Sequence, residues 1–358
     1  MRVLHLDEQT GWRGGELQAS WLMQGLAKRG HQVWLAGRPG SRFLTDPHGD
    51  AAITRVPMPL RSELDLGSVL RIAALVRREK IQILHAHTSH THSLACLARL
   101  LCPGVKVVVH RRVSFPPKTD PINRWKYRAP DRIVCVSGKV LEVLAESGLP
   151  REKLALVHSA VELGRLDVEP ADRAALGVAD DAPLLFSAGA LVGHKDHGTL
   201  LDAFVIVLEE FPDARLLIAG EGELHRALEA KAAQLGIADA VVFLGQRDDV
   251  PAITQAADLY VSSSWSEGLG TSVLEALGCG TPVVATDAGG VGEMVRHGET
   301  GLLVPARDPK ALAAAMLDAL LQPERSTELA RKGRRLVQKQ FCVDRMVEGN
   351  IAVYEGLQ

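Results

Sequence analysis

Short aliphatic and β-branched runs alternate with longer stretches of helical periodicity along the whole of this 358-residue chain, and that alternation limits its fold more than any other feature. The pattern predicts strands at Val3–Leu6, Gln32–Ala36, Ile81–His85, Val105–Val109, Arg132–Val136 and Leu154–Val157 in the first half. In the second half it predicts them at Leu184–Ser187, Ala214–Ile218, Val241–Leu244, Leu259–Ser262, Pro282–Ala285 and Gly301–Val304. Helical spacing fills the gaps, as in Glu16–Arg29, with Leu17, Trp21, Leu22 and Leu26 on one face. Strand–helix alternation calls for parallel strands, and a parallel sheet needs helices on both faces. So many strands predict two doubly wound sheets rather than one very wide one. The polar, Pro-containing stretch Glu162–Ala182 predicts the hinge, which gives an α/β architecture with domains at 1–165 and 166–340. The tail Phe341–Gln358 is helical in pattern and has Met346, Ile351, Val353 and Tyr354 to bury, so it is expected to pack back on the first domain.

Composition fits such a chain. Hydrophobic residues make up 46% and charged residues 23%, enough material for two cores. No apolar run approaches the roughly 18–20 residues that span a bilayer, and the opening MRVLHLDEQ turns acidic too early for a secretory signal, so a cytoplasmic protein is expected. Five scattered cysteines (Cys96, Cys102, Cys135, Cys279, Cys342) form no CxxC pair, which argues against a disulfide framework and against structural zinc. Charge is uneven. Met1–Arg165 holds 25 Lys and Arg against 14 Asp and Glu, an excess of 11 positive charges, and the remainder holds 16 basic against 29 acidic residues. A basic first half is expected to face an anionic partner.

Ligands of open α/β sheets bind in the loops at the carboxyl ends of the strands. The first such loop, Thr10-Gly11-Trp12-Arg13-Gly14-Gly15-Glu16, pairs glycines ahead of a helix N-terminus, which suits close approach to an anion or simply a tight turn. There is no G-x-G-x-x-G dinucleotide fingerprint and no P-loop. A histidine run, His85, His87, His90 and His92, is followed after the next strand by His110-Arg111-Arg112. His85 and His87 alternate on one strand face. Metal-ligand partners do not accompany them in sequence, so the expectation is a polar site wall and no metal. The segment Gly189–His197 places Lys195 in an exposed loop before a helix, where a cation can neutralise a phosphate leaving group. The fourth motif, SWSEGLGTSVLEAL, sets Glu267 in a loop and Glu275 in the first turn of the next helix. Gly268, Leu269, Gly270, Thr271 and Ser272 lie between them at a helix N-terminus that can cradle a diphosphate. Ser272-x-x-Glu275 also reads as a capping box, which would explain both residues without a ligand.

The stretch SEGLGTSVLEALGCGTPVVATDAGGVGEMVRHGETGLLVP closely resembles the E-x7-E region of glycosyltransferase family 4, the retaining GT-B enzymes. GALVGHKDHGTLLDAF resembles that family's G-R-L-x-x-x-K-G segment, and LLIAGEGELHRALE, VVFLGQRDDVPAITQAADLYVSSS, RIVCVSGKVLEVL and the opening GGELQASWLMQGLAKRGHQV extend the likeness over nearly the whole chain. The resemblance implies two Rossmann-like domains facing across a cleft. It implies that Glu275 binds the donor ribose, that Glu267 contacts the donor sugar, and that Gly268–Ser272 and Lys195 hold the diphosphate. Gly14 and Gly15 would lie against the donor from the other domain. The family's arginine five residues before the lysine is Ala190 here, so that cation is missing or supplied elsewhere, with His194 and Arg112 as the alternatives. The family's cleft histidine falls on His110 in one register and on Arg112 in another, and its Asn-Gly pair after Val157 is replaced by Ser159-Ala160. The expected activity is retaining transfer of a sugar from a nucleoside diphosphate sugar to an acceptor hydroxyl, without metal or cofactor. An anionic glycan or lipid-linked acceptor of the cell envelope, as in lipopolysaccharide biosynthesis, and peripheral contact with the cytoplasmic membrane's inner face are expected partners; nucleic acid is not. The alternatives are a non-catalytic sugar-nucleotide-binding protein and another GT-B enzyme, such as a sugar-nucleotide epimerase or a phosphorylase.

Overall fold

A computed structural model of the chain describes residues 1–11, 14–45 and 52–358. Trp12 and Arg13 of the first motif lie outside the described residues. The chain forms two compact units, Met1–Ala160 with Val343–Gln358, and Val161–Cys342.

The first unit holds β1 (Arg2–Asp7), β2 (Gln32–Gly37), β3 (Ile53–Pro57), β4 (Ile83–Ala86), β5 (Lys106–Arg111), β6 (Arg132–Cys135) and β7 (Leu154–Leu156). They form one parallel sheet in the order β3-β2-β1-β4-β5-β6-β7. Side chains alternate across its two faces. Leu4, Leu6, Leu84, Val107 and Val109 enter a core with Ile72, Val76 and Leu94 from the helices on one side. Val3, Ile83 and Val108 enter a second core with Leu22 and Leu26 of the Gly14–Lys28 helix and Met346, Val347 and Tyr354 of the Val343–Glu355 helix. The C-terminal helix belongs to this face because Gly25 lets it approach: a Cβ there would sit 2.3 Å from Val347 Cγ2.

The second unit holds β8 (Leu184–Ala188), β9 (Arg215–Ala219), β10 (Val241–Gly245), β11 (Leu259–Ser262), β12 (Val283–Thr286) and β13 (Leu302–Val304), parallel in the order β10-β9-β8-β11-β12-β13. Its core gathers Leu185, Leu216, Ile218, Val261 and Val284 from the strands with Phe204, Val207, Leu312 and Met316 from helices. The stretch read as a hinge is seated on this unit: Leu166 is buried, the Ala171 N–H donates to the Ala252 carbonyl, and Arg173 pairs with Asp258 at 3.1 Å.

One strand, β3, escaped the sequence reading. It is an edge strand ending in Pro57, with only Ile53 buried, so it carries neither alternation nor an apolar run. All five cysteines are free, and four of them are buried. No helix among the described residues is long and apolar enough to cross a membrane.

Candidate functional site

In the second unit β8 and β11 are neighbours, but β8 connects onward to β9 on one side and β11 to β12 on the other. Such a reversal opens a crevice at the strands' carboxyl ends. The loops there are tied together. Ser263 Oγ donates to the Lys195 carbonyl at 3.0 Å, the Trp265 N–H to the His194 carbonyl at 2.9 Å, and the Trp265 indole to the Gly193 carbonyl at 3.0 Å. Asp196, next to Lys195, takes a left-handed conformation (φ 50°) and caps the following helix by accepting from the Thr199 N–H. Asp tolerates that region better than most residues.

Within this frame Lys195 Nζ lies 2.6 Å from Glu267 Oε1, and the Ser264 hydroxyl donates to the same oxygen at 2.8 Å. The expectation of an exposed lysine needs correcting: its side chain is 17% exposed and that of Glu267 11%. Lys195 is held by an ion pair, not solvated. Ala190, where the family's arginine would stand, is exposed, as is His194.

The capping box is also corrected. The Thr271–Cys279 helix is capped by Gly270 at φ 94°, a conformation that favours glycine, with no side-chain cap bond. Ser272 is therefore inside the helix, and Glu275 stands in its second turn rather than its first. Gly289 (φ 59°) fixes the loop from behind; a Cβ there would fall 1.8 Å from the Glu267 carbonyl oxygen. Burial raises the Glu275 pKa, and Arg165, 3.9 Å away, partly opposes that. Below the crevice the Tyr260 hydroxyl donates to the Ala188 carbonyl at 3.1 Å. Lys195, Glu267, Gly268, Leu269, Gly270, Thr271, Ser272 and Glu275 thus belong to one loop-and-helix cluster. A separate cavity of about 520 Å³ lies at the opposite, amino ends of β8, β11 and β12, beside Pro183, Asp258 and Pro282.

In the first unit the reversal falls between β1 and β4. Their facing residues are His5 and His85, on the same sheet face as Val3 and Ile83. His87 and His110 join them, with rings stacked 4.5–5.5 Å apart. His5 was missed in the sequence, although its two-residue spacing from Val3 places it on this face. The histidine run divides. His92 turns away to the Lys126 carbonyl at 2.8 Å, and His90 is exposed, 3.5 Å from Glu8. Burial holds His5 and His92 at about 3, and His85, His87 and His110 well below the ordinary value, so all are neutral near pH 7.

A cavity of about 700 Å³ opens at the ends of β4 and β5, lined among others by His87, His110, Arg111, Arg112, Lys118 and Glu63. His110 and Arg112, the two register alternatives, both reach it. Arg111 donates to the Tyr127 hydroxyl at 2.6 Å and to the Phe115 carbonyl at 2.5 Å. Arg112 donates to the His87 carbonyl at 2.9 Å, and its Cδ would lie 3.7 Å from a Cβ on Gly15. These acceptors are neutral, and the Nε of each arginine is buried without a partner. Gly14 opens the helix beside them. The pKa of Asp7, at the end of β1, is raised to about 7, chiefly by burial, with Glu16 and Glu8 adding to it and the Gln9 N–H and Arg112 opposing. Ser159-Ala160 is anchored by Gln18, which donates to and accepts from Ala160 at 2.6 and 2.8 Å.

Residues 12–165 match the model of Glycosyltransferase Family 4, and residues 168–336 that of Glycosyl transferases group 1. The lipopolysaccharide core biosynthesis glycosyltransferase LpsE of Rhizobium meliloti (strain 1021) is 30% identical over 322 residues, covering 89% of each chain. The N-acetyl-alpha-D-glucosaminyl L-malate synthase of Bacillus anthracis is 24% identical over 345 residues, 92% of this chain and 90% of that one. Among solved structures, Anabaena Alr3699/HepE in complex with UDP and glucose superposes with a TM-score of 0.86 at 20% identity, with 100% of both chains covered. At that identity the structural likeness speaks for the GT-B fold. The sequence likeness, sustained along nearly the whole length of LpsE, goes further: this chain belongs to the group 1 glycosyl transferases, with an amino-terminal half of the family 4 type.

Proposed function

We propose that this glycosyltransferase moves a sugar, with retention and without a metal, from a nucleoside diphosphate sugar to a hydroxyl of an anionic cell-envelope acceptor. The observation that carries the donor half is the cluster at the β8–β11 reversal: a cation (Lys195), a carboxylate 2.6 Å from it (Glu267) and a glycine-capped helix N-terminus in one frame. A diphosphate suits Lys195 and the N–H groups of Gly268–Ser272, because cation and helix end both stabilise negative charge. Sugar hydroxyls suit Glu267, and ribose hydroxyls suit Glu275. In the first unit, Gly14 and Gly15 are the residues whose missing side chains suit close approach of a donor. In the reaction the bond from the anomeric carbon to the diphosphate oxygen breaks, and its electron pair leaves with the diphosphate. The acceptor oxygen bonds to the same face of that carbon, and its proton passes to the departing phosphate. The protein contributes position and charge stabilisation rather than a nucleophile.

The acceptor half rests on the first unit's cavity, where Arg111, Arg112 and Lys118 outnumber Glu63 and the histidines are neutral. His110 and Arg112 both line that cavity and suit contact with the acceptor or the sugar. A phosphorylated or carboxylated glycan, or a lipid-linked one, matches that charge. The similarity to LpsE favours the lipopolysaccharide core among such acceptors. Weak, salt-sensitive attachment to an anionic membrane surface follows from the same basic half.

Thermal shift against UDP-, GDP- and ADP-sugars tests the donor site, since a ligand of the native state raises the melting point. At least one is expected to do so, and the same nucleoside diphosphate should be released only when a phosphorylated glycan acceptor is present. No shift with any donor, or epimerised sugar nucleotide without acceptor, would refute the proposal.

A further inference from the structure

The buried rings of the first unit form two hydrogen-bonded chains whose end groups dictate where every proton sits. Arg112 is an obligate donor. It stands 3.1 Å from His87 Nδ1, so that nitrogen carries the lone pair and His87 is protonated on Nε2. His87 Nε2 therefore donates to His5 Nδ1 at 2.8 Å, and His5 keeps its own proton on Nε2. The second chain starts at Tyr354, fully buried on the Val343–Glu355 helix, with its hydroxyl 2.5 Å from His85 Nδ1. His85 Nε2 stands 2.7 Å from His110 Nδ1. A buried phenol is costly unless its proton is donated, and His85 Nδ1 is the acceptor it meets. His85 is then protonated on Nε2, donates to His110 Nδ1, and leaves the His110 proton on Nε2. The reverse order would strand the phenol proton inside the core.

We infer that Tyr354 is a positioning residue that acts through His85 to hold His110 as the tautomer bearing its proton on Nε2. His110 thereby offers the cavity a hydrogen-bond donor, suited to a hydroxyl or phosphate oxygen of the substrate, and no base. The part concerning substrate rests on the function proposed above; the tautomer assignment does not. His5, His85 and His87 also have nitrogens within 4.8 Å of one another, close enough to share a metal ion. Their Nδ1 lone pairs, however, already accept from His87, Tyr354 and Arg112, so a metal would have to break both chains.

Long-range proton–nitrogen correlation spectra of the full chain labelled with ¹⁵N-histidine read each ring's tautomer directly, with His110→Gln and His85→Gln giving the assignments. His85 and His110 are expected as Nε2–H forms between pH 6 and 8. Tyr354→Phe should shift the His110 signal to a tautomer mixture while the His5 and His87 signals stay in place. With an active donor–acceptor pair, the same variant should lower kcat on the order of tenfold with donor KM nearly unchanged. An Nδ1–H form of His110 in the unaltered protein overturns the inference whether or not the variant folds. So does a His110 tautomer indifferent to Tyr354→Phe, or stoichiometric zinc uptake that displaces the His5, His85 and His87 signals. Absence of transfer with every donor, with the tautomers as stated, would sink the proposed function and leave this inference standing.

Discussion

Lys195 and Glu267 satisfy each other in the crevice, and each therefore answers for two properties. Removing the lysine leaves a carboxylate that is only 11% exposed and has lost its paired cation, though it still accepts from the Ser264 hydroxyl. Lys195→Ala is thus expected to cost stability, about 1–3 kcal/mol, as well as turnover. The double variant Lys195→Ala with Glu267→Gln should recover most of the melting temperature and none of the activity. Turnover of Lys195→Ala at the unaltered level would mean that the diphosphate is held by other groups. Glu275 behaves differently. It closes no capping box, and burial already disfavours its charge. Glu275→Gln should therefore leave stability nearly unchanged while weakening nucleotide-sugar binding by about 1–3 kcal/mol, the range for a hydrogen bond to a charged group. Titration calorimetry showing equal affinity would remove Glu275 from the donor site. At this scale the sequence was informative about which residues gather after β8 and β11, because motif and strand order agree there. It could not show that Lys195 is paired or that His5 and Tyr354 complete the histidine chains, since those contacts join residues up to 269 positions apart.

Elements are positioned here by close backbone approaches that spacing cannot reveal. Ser272-x-x-Glu275 has the letters of a helix start, yet the helix begins at Thr271 because Gly270 turns left-handed just before it. The loop after β12 sets that turn from behind, through Gly289 against the backbone of Glu267. Gly289→Ala must displace that backbone, since its Cβ would meet the Glu267 carbonyl oxygen at 1.8 Å and its φ of 59° is unfavourable for alanine. Loss of donor binding is expected, with a destabilisation of more than about 1 kcal/mol. Gly292→Ala is the control, because its nearest neighbours would lie at an ordinary 3.5 Å. If both variants bound donor equally well, the loop would not be setting the crevice. The C-terminal helix shows the same limit of pattern reading. Met346 and Tyr354 are buried as periodicity suggested, and Ile351 and Val353 pack half-buried against the same core, but the fully buried stripe also runs through Val347 and Asn350. Gly25 on the partner helix decides which side docks.

Across the whole molecule, the buried histidines make the first unit the acid-sensitive one. His5, His85, His87, His92 and His110 are all held neutral there by burial, the first unit's cationic side chains adding to the effect; His5 and His92 titrate only at about 3. Unfolded, each would take up a proton near pH 6.5. As pH falls through 6.5 the unfolded state gains protons that the native state cannot bind, so stability present above that pH is lost on the way down. Asp7 works in the opposite sense. Its folded pKa of about 7 exceeds the unfolded value of 3.8, so its native carboxyl keeps a proton that the unfolded chain has lost, and it favours folding as pH falls from 7 toward 4. Five buried histidines against one carboxyl leave a net loss of stability as pH falls below 6.5, on the order of 1.4 kcal/mol per pH unit for each unopposed proton. A domain stable by about 5–15 kcal/mol cannot sustain that for long. The second unit carries one such histidine, His197, lowered to about 4. The first unit is therefore expected to unfold between about pH 6 and 4, before the second. Hydrogen exchange across that range should show peptides of β1, β4 and β5 losing protection while those of β8, β11 and β12 keep theirs. A melting temperature that stays flat from pH 7 to 5, or a second unit that opens first, would show that the histidines are not held neutral in the fold.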